Sequence, residues 1–129
     1  MNNIDIPVSV GELFDKITIL RIKLKRFADA AKRKNVKLEL EALEKAVTKV
    51  PVSGPELDAL VGQLEEVNNT LWDIEDGKRQ AERDQNFGAD FIELARQVYI
   101  RNDKRAEIKR KINMLTGSVI IEEKSYNPY

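Results

Sequence analysis

Hydrophobic residues recur at alternating spacings of three and four along most of the chain, which is the pattern of helices with one buried face. The first run begins after a Ser-x-x-Glu capping box at residues 9–12. The second ends at Pro51, and the third follows another Ser-x-x-Glu box at residues 53–56. The fourth stops at Gly117, in the usual glycine position past a helix end. The four stripes are Leu13, Ile17, Leu20, Leu24, Phe27 and Ala31; Val36, Leu40, Leu43, Val47 and Val50; Leu57, Leu60, Leu64, Val67, Leu71 and Ile74; and Leu94, Val98, Ile108, Ile112 and Leu115.

These stripes predict an all-α fold in one helical domain over residues 1–129. The five-residue step from Ala31 to Val36 places a kink or short turn near residues 28–35, with Asp29 or Asn35 as the cap. The two ends are rich in Ile and Val, and we expect short extended termini that pair or lie together at one end of the molecule. The predicted architecture is an antiparallel bundle of three to four helices, at about residues 9–28, 35–50, 54–86 and 89–116.

The first helix is apolar around much of its circumference, which indicates burial between neighbours. We therefore expect it either at the centre of the bundle or in a dimer interface. Its apolar residues are Leu13, Phe14, Ile17, Ile19, Leu20, Ile22 and Leu24.

The apolar stripe of the fourth helix is interrupted for two helical turns between Val98 and Ile108. Arg101 and Arg105 occupy the positions where the spacing calls for apolar side chains. The short break near residue 87 makes the third and fourth helices antiparallel neighbours. Folding the chain back there lays Leu71 and Trp72 over Arg105 and brings an acidic stretch beside Arg101. That stretch contains Asp73, Glu75 and Asp76.

A guanidinium group removed from water must be paired, and its planar fork suits a carboxylate or the face of an indole. The two arginines therefore predict either an ion-pair layer that fixes helix register or a pocket for an anionic ligand. For the pocket, the candidate binding residues are Arg101, Arg105, Asn102, Trp72, Asp73, Glu75, Asp76, Arg21 and Lys16.

Composition excludes several chemistries. The chain has no Cys and no His, so disulfides, thiolate and Ser-His-Asp catalysis and the commonest metal ligands are absent. Lys and Arg number 22, as do Asp and Glu, and this balance argues against nucleic acid as a partner. The sequence has no apolar segment long enough to predict a membrane span. Carboxylate pairs such as Glu41/Glu44 and Asp73/Asp76 arise by chance in helices this charged, so we expect no metal and no cofactor.

Four strings resemble a family of small bacterial proteins of unknown function that end in a similar Glu-Glu-Lys-Ser-Tyr sequence. They are "PVSVGELFDKITILRIK" at residues 7–23, "LWDIED" at 71–76, "FIELARQVYIRNDKRAEIKRKIN" at 91–113 and "GSVIIEEKSY" at 117–126. The resemblance spans nearly the whole chain. It implies a stand-alone cytoplasmic bacterial domain and supplies no activity and no catalytic residue.

The function therefore stays open at this point. We predict a non-enzymatic structural or protein-interaction module that forms a homodimer, with a protein partner as a further possibility. The alternative is a binding or enzymatic site in the bundle for an anionic metabolite, phosphosugar or nucleotide, in the manner of helical chorismate mutases. Whether the chain is an enzyme is left undecided, and catalytic residues are unassigned.

Overall fold

The computed structural model describes residues 2–128 and contains four α-helices. They are α1 (Val10–Arg26), α2 (Ala30–Val47), α3 (Pro55–Arg83) and α4 (Ala89–Thr116). The predicted all-α fold is confirmed, and residues 2–128 contain no strand. The largest difference is at α2, which begins five residues earlier than predicted. Asp29 caps it by accepting a 2.9 Å hydrogen bond from the Lys32 amide, so Asn35 lies inside the helix.

The cap signals at Ser9 and Gly117 are confirmed, whereas α2 ends at Val47, before the predicted end at residue 50. Ser9 caps α1, since its Oγ accepts from the Glu12 amide at 3.0 Å. Gly117 ends α4 in the left-handed region, at φ 66°. The capping box at Ser53 is wrong, because Gly54 takes the cap position with φ 127° and, having no side chain, makes no cap bond. Pro55 then occupies the first helical turn, where its missing amide costs nothing.

Helix α1 is the central element. It packs against α2, α3 and α4, whereas no Cα of α2 comes within 8 Å of α3 or α4. The five least exposed large apolar side chains come from three helices and mark the middle of the core: Ile17, Ile22, Leu64, Ile108 and Ile112. The expectation that the first helix lies at the centre is therefore confirmed.

Helices α3 and α4 extend well past α1. At 29 and 28 residues against 17, they are about 43 and 42 Å long where α1 is about 26 Å. Within residues 75–107 no side chain is buried. We call this two-helix segment, residues 75–107, the projection. It leaves the core between Ile74 and Ile108, which are both buried.

The segments that precede α1 and follow α4 meet at the base of the bundle, as the sequence predicts, but they are irregular in the described residues. The Val10 amide donates to Ser118 Oγ at 3.1 Å, and Ser9 Oγ donates to Glu122 Oε2 at 2.7 Å. We call residues 118–126 the tail. From this junction the tail runs back along α4, because Glu123 contacts Arg110 and Lys124 contacts Asp103.

Candidate functional site

The first turn of α1 touches the end of α4 at a glycine. The Gly11 amide donates a 2.7 Å hydrogen bond to Asn113 Oδ1, and Asn113 is buried. A Cβ added at Gly11 would lie 2.5 Å from the carbonyl oxygen of Lys109, closer than atoms can approach. The absence of a side chain at Gly11 therefore permits the close contact between the two helices.

Glu122 attaches the tail to this junction. Its carboxylate accepts from Ser9 Oγ at 2.7 Å and from Asn113 Nδ2 at 3.2 Å. Burial by itself would raise the pKa of Glu122, but these hydrogen bonds and the charge of Lys109 outweigh it, so the pKa of this carboxyl lies below its ordinary value. These hydrogen bonds therefore favour the ionised form of Glu122.

A charged network continues into the core beneath this junction. Lys109 Nζ lies 2.5 Å from Glu12 Oε2 and 3.8 Å from Asp15 Oδ2. Asn68 of α3 donates to Asp15 Oδ1 at 2.9 Å and to Thr18 Oγ1 at 3.0 Å. Among the described residues, no buried side-chain nitrogen or oxygen lacks a partner. The network therefore has the completeness expected of a structural element.

A cavity of about 510 Å³ lies between α4 and the tail, and we call it the tail groove. Two ion pairs hold the tail beside it, Lys124 to Asp103 at 2.7 Å and Arg110 to Glu123 at 3.2 Å. Within residues 2–128, its charged lining residues are four basic and two acidic side chains: Arg105, Lys109, Arg110 and Lys124, with Asp103 and Glu122. The described lining of the groove is therefore net positive.

Arg105 separates the tail groove from a second cavity. This second cavity, of about 340 Å³, lies between α3 and α4 beside Ile19 of α1, and we call it the α3 cleft. Its charged lining is balanced, with Arg79 and Arg105 against Glu75 and Asp76. Arg105 is half-buried. Within residues 2–128 it makes no hydrogen bond and no ion pair, whereas the other three cations of the tail groove are all paired.

The structure brings five of the nine predicted site residues to these two cavities. Arg105 lines both, in the register predicted from the hairpin, with Leu71 and Trp72 beside it. Asn102 lines the tail groove. The predicted residues of the α3 cleft are Trp72, Glu75 and Asp76.

The predicted ion-pair layer at Arg101 is wrong. Arg101 is exposed and donates to Gln97 Oε1 at 3.2 Å on its own helix. Two of the acidic side chains predicted to lie beside Arg101 have other partners, since Asp73 pairs with Arg26 at 2.7 Å and Glu75 contacts Lys78 at 3.5 Å. Helix α1 ends beside this part of α3, and it supplies the counterion that the sequence assigned to α4.

The other predicted site residues also have local partners. Lys16 contacts Glu12 at 3.6 Å, and Arg21 contacts Glu44 at 3.9 Å, both on exposed surfaces. The indole of Trp72 is covered by α1, with Phe27 at 5.9 Å between ring centroids and the Arg26 guanidinium 5.8 Å from the ring. The predicted stacking of an α4 arginine on Trp72 is therefore replaced by stacking of Arg26.

Several residues of the site were not identified from the sequence. Asn68 directly follows the stripe residue Val67, and Asn113 directly follows Ile112. A short polar side chain next to a buried position could have indicated a buried hydrogen bond at both places. Lys109 and Glu122 gave no such signal, because both look like ordinary surface charges until the tail is placed against α4.

Metal and membrane sites are not indicated. Within residues 2–128, no three acidic side chains converge in a way that could hold an ion. The helices of this part of the chain are also too polar or too short to cross a bilayer.

Comparison with known proteins identifies a family but no activity. Residues 4–129 match the model of a family of unknown function, DUF6165. No curated protein matches the chain, and no solved structure does. Since the family model covers nearly the whole sequence, this chain is a member of the DUF6165 family of unknown function.

Proposed function

We propose that the tail groove binds a small anionic metabolite, with Arg105 as the residue that contacts its negative group. The observation that carries this proposal is the state of Arg105, a half-buried residue that lines the groove and whose guanidinium has no partner within residues 2–128. Partial removal of a cation from water costs free energy unless an anion or an acceptor replaces the lost hydration. A bound carboxylate or phosphate would supply both charge and acceptors, in the bidentate geometry that arginine favours.

The charge distribution favours the tail groove over the α3 cleft. In the α3 cleft Arg105 shares its surroundings with Glu75 and Asp76, which repel an anion. In the tail groove basic side chains outnumber acidic ones by two. Asn102 lies one turn from Arg105 on the same lining and offers an amide donor.

The size of the groove suits a metabolite. A volume of about 510 Å³ is within the range of roughly 300 to 1,000 Å³ typical of small-molecule sites. Lys124 and Tyr126 of the tail form one wall, so a ligand would lie between the helix and the tail. The resemblance to small bacterial proteins supports a role in the bacterial cytoplasm. No side chain of this lining is assigned a catalytic role, and binding is the activity that we propose.

Thermal unfolding with added anions tests the proposal. We expect inorganic phosphate, a sugar phosphate or a dicarboxylate such as succinate to raise the melting temperature at constant ionic strength, since a ligand of the native state stabilises it. Arg105→Met should abolish this rise. The matched control is Arg101→Met, which removes an exposed arginine one turn away, outside both cavities, and should keep it.

Calorimetry gives the magnitude. Loss of a charge-assisted contact worth about 1.5 to 3 kcal/mol should weaken binding of the successful anion by about tenfold or more. Because Arg105 has no partner within residues 2–128, Arg105→Met should unfold at or above the temperature of the unmodified protein when no ligand is present. The proposal is wrong if none of the three anion classes stabilises the unmodified protein, or if both arginine variants respond alike.

A further inference from the structure

The outer side of α2 is exposed along the whole helix. Among the four helices, α2 packs only against α1, and its buried residues Val36 and Leu40 belong to the core. With about 3.6 residues per turn, the residues on the opposite side recur at about every third or fourth position. We call this exposed set the α2 face: Ala30, Ala31, Lys34, Leu38, Glu41, Ala42 and Lys45.

One large apolar side chain lies at the middle of the α2 face. Leu38 is 60% exposed and is flanked by the alanines of the face. Beside it, a groove of about 540 Å³ runs along α2, and the charged lining of this groove includes Lys34, Lys37 and Glu41. A single exposed leucine is common on protein surfaces. The charges around Leu38 are therefore what identifies its partner.

The charges of α2 are segregated along the helix. Residues 30–37 carry four basic side chains and no acidic one, whereas residues 38–47 carry three acidic side chains and one basic one. This order is unfavourable within a single helix, because the basic half begins at the positive end of the helix dipole. In the part of the chain that the structure describes, Lys34, Lys37 and Glu41 make no ion pair. The helix therefore presents two unneutralised halves of opposite sign.

We infer that the α2 face binds the same face of a second copy of this chain, with the two α2 helices antiparallel and Leu38 at the two-fold axis. Residues equally far from Leu38 in opposite directions then lie at the same level, so Glu41 of one copy falls between the levels of Lys34 and Lys37 of the other. These three charged side chains line the groove on one side of Leu38, and a two-fold axis brings that side of both copies together. The basic half of each helix therefore meets the acidic half of the other.

Other partners fit the charges of α2 less well. An anionic membrane surface or an acidic peptide would attract residues 30–37 but repel the acidic side chains of the second half, which are Glu39, Glu41 and Glu44. A second α2 in the antiparallel direction presents acidic groups to the first half and basic groups to the second. Its apolar contacts fit as well, because Leu38 meets Leu38 and the alanines let two helices approach to about 8 Å.

Sedimentation of matched variants tests the interface. The contact surface is one helix wide, so we expect a dimer of twice 14.8 kDa with a dissociation constant in the micromolar range. Leu38→Glu should raise this constant at least tenfold. The matched control is Ile92→Glu, which should remain dimeric, since Ile92 is 55% exposed on α4 and α2 does not contact α4. Far-UV circular dichroism checks that both variants keep the helical fold.

A charge exchange tests the register. Lys34→Glu places acidic groups beside each other in the antiparallel dimer and should weaken it about tenfold at low ionic strength. Adding Glu41→Lys to this variant restores opposite charges across the interface, so the double variant should regain most of the affinity. A double variant as weak as Lys34→Glu alone would contradict the contact between these two positions.

A single cysteine tests the position of the axis. The chain has no cysteine, so Leu38→Cys introduces one thiol per copy at the proposed two-fold axis. At protein concentrations above the dissociation constant, mild oxidation should link two copies covalently within minutes. Ile92→Cys should stay unlinked under the same conditions.

Three further results would overturn the inference. The first is a 14.8 kDa species at all concentrations up to hundreds of micromolar. The second is a dimer that survives Leu38→Glu, which would place the interface elsewhere. The third is a monomer that co-sediments with phosphatidylglycerol vesicles and loses this binding in Leu38→Glu, which would assign the α2 face to a membrane surface.

Discussion

The amide of Gly11 lies 2.7 Å from the Oδ1 atom of Asn113, which joins residues 102 positions apart in the sequence. Through the same side chain, Asn113 Nδ2 reaches the carboxylate of Glu122. One buried asparagine thus connects the first turn of α1, the end of α4 and the tail.

Gly11→Ala should destabilise the fold. The new Cβ would meet the Lys109 carbonyl oxygen at 2.5 Å, and this backbone atom cannot move without shifting α4. We expect a loss of about 2 kcal/mol in the free energy of unfolding by urea, the usual cost of overpacking. Gly62→Ala is the control, because nothing lies within 4 Å of its added Cβ inside α3, and there alanine should stabilise the helix by about 0.5 to 1 kcal/mol. Equal effects of the two variants would contradict the close contact.

Asn68→Leu should destabilise the core although it adds an apolar side chain. It removes the donor that Asp15 and Thr18 share and leaves the buried Asp15 carboxylate less satisfied. The expected loss is about 1 to 3 kcal/mol by urea unfolding. Its neighbour gives the comparison: Asn69→Leu removes only an exposed contact at 3.4 Å from Arg26 and should change stability by less than about 0.5 kcal/mol. A neutral Asn68→Leu would show that the network is dispensable.

Lys109→Met should cost more than removal of an exposed lysine. It leaves Glu12 and Asp15 facing each other without the intervening cation, and because this ion pair is partly buried we expect a cost of about 2 kcal/mol, between that of a surface pair and that of a buried one. Lys111→Met is the comparison on the same helix, since Lys111 makes a surface pair with Glu107 at 3.2 Å and should cost under about 1 kcal/mol. Thermal unfolding measures both, and similar melting temperatures would argue against the network.

Docking of the tail should depend on pH through Glu122. The pKa of Glu122 is lower in the folded protein than the ordinary value of a glutamate. The ionised side chain therefore contributes fully to stability at pH values above that ordinary pKa, which is about 4.3. The contribution is lost as the pH falls through the lower folded value. We expect the side-chain amide signals of Asn113 in NMR spectra to move toward those of the undocked state over this acidic range.

Two carboxamide variants separate this effect from general acid unfolding. Glu122→Gln should remove the acid-dependent movement of the Asn113 signals. Glu123→Gln should leave this movement unchanged. Glu123 is exposed, and its ion pair within residues 2–128 is with Arg110 on the surface. An Asn113 signal that titrates identically in both variants would show that Glu122 does not control the tail.

The sequence by itself determined the helices, because their signals are local. Apolar spacing, the Ser9 cap and the left-handed Gly117 each depend on a few neighbouring residues, and all three appear as predicted. The antiparallel register that brings Arg105 to Leu71 and Trp72 also followed from a short hairpin, which leaves little freedom for the pairing. Where two local signals competed, at Ser53 and Gly54, the backbone freedom of glycine prevailed.

Only the tertiary structure decided which charges meet. Arg101 and Arg105 lie one turn apart and look equivalent in the sequence, but one is exposed and the other lines two cavities. Their difference depends on where α1 ends and where the tail lies, and both are set by packing between segments distant in the chain. Periodicity along one helix specifies which side is buried, but it does not specify which other segment will cover that side or supply a counterion.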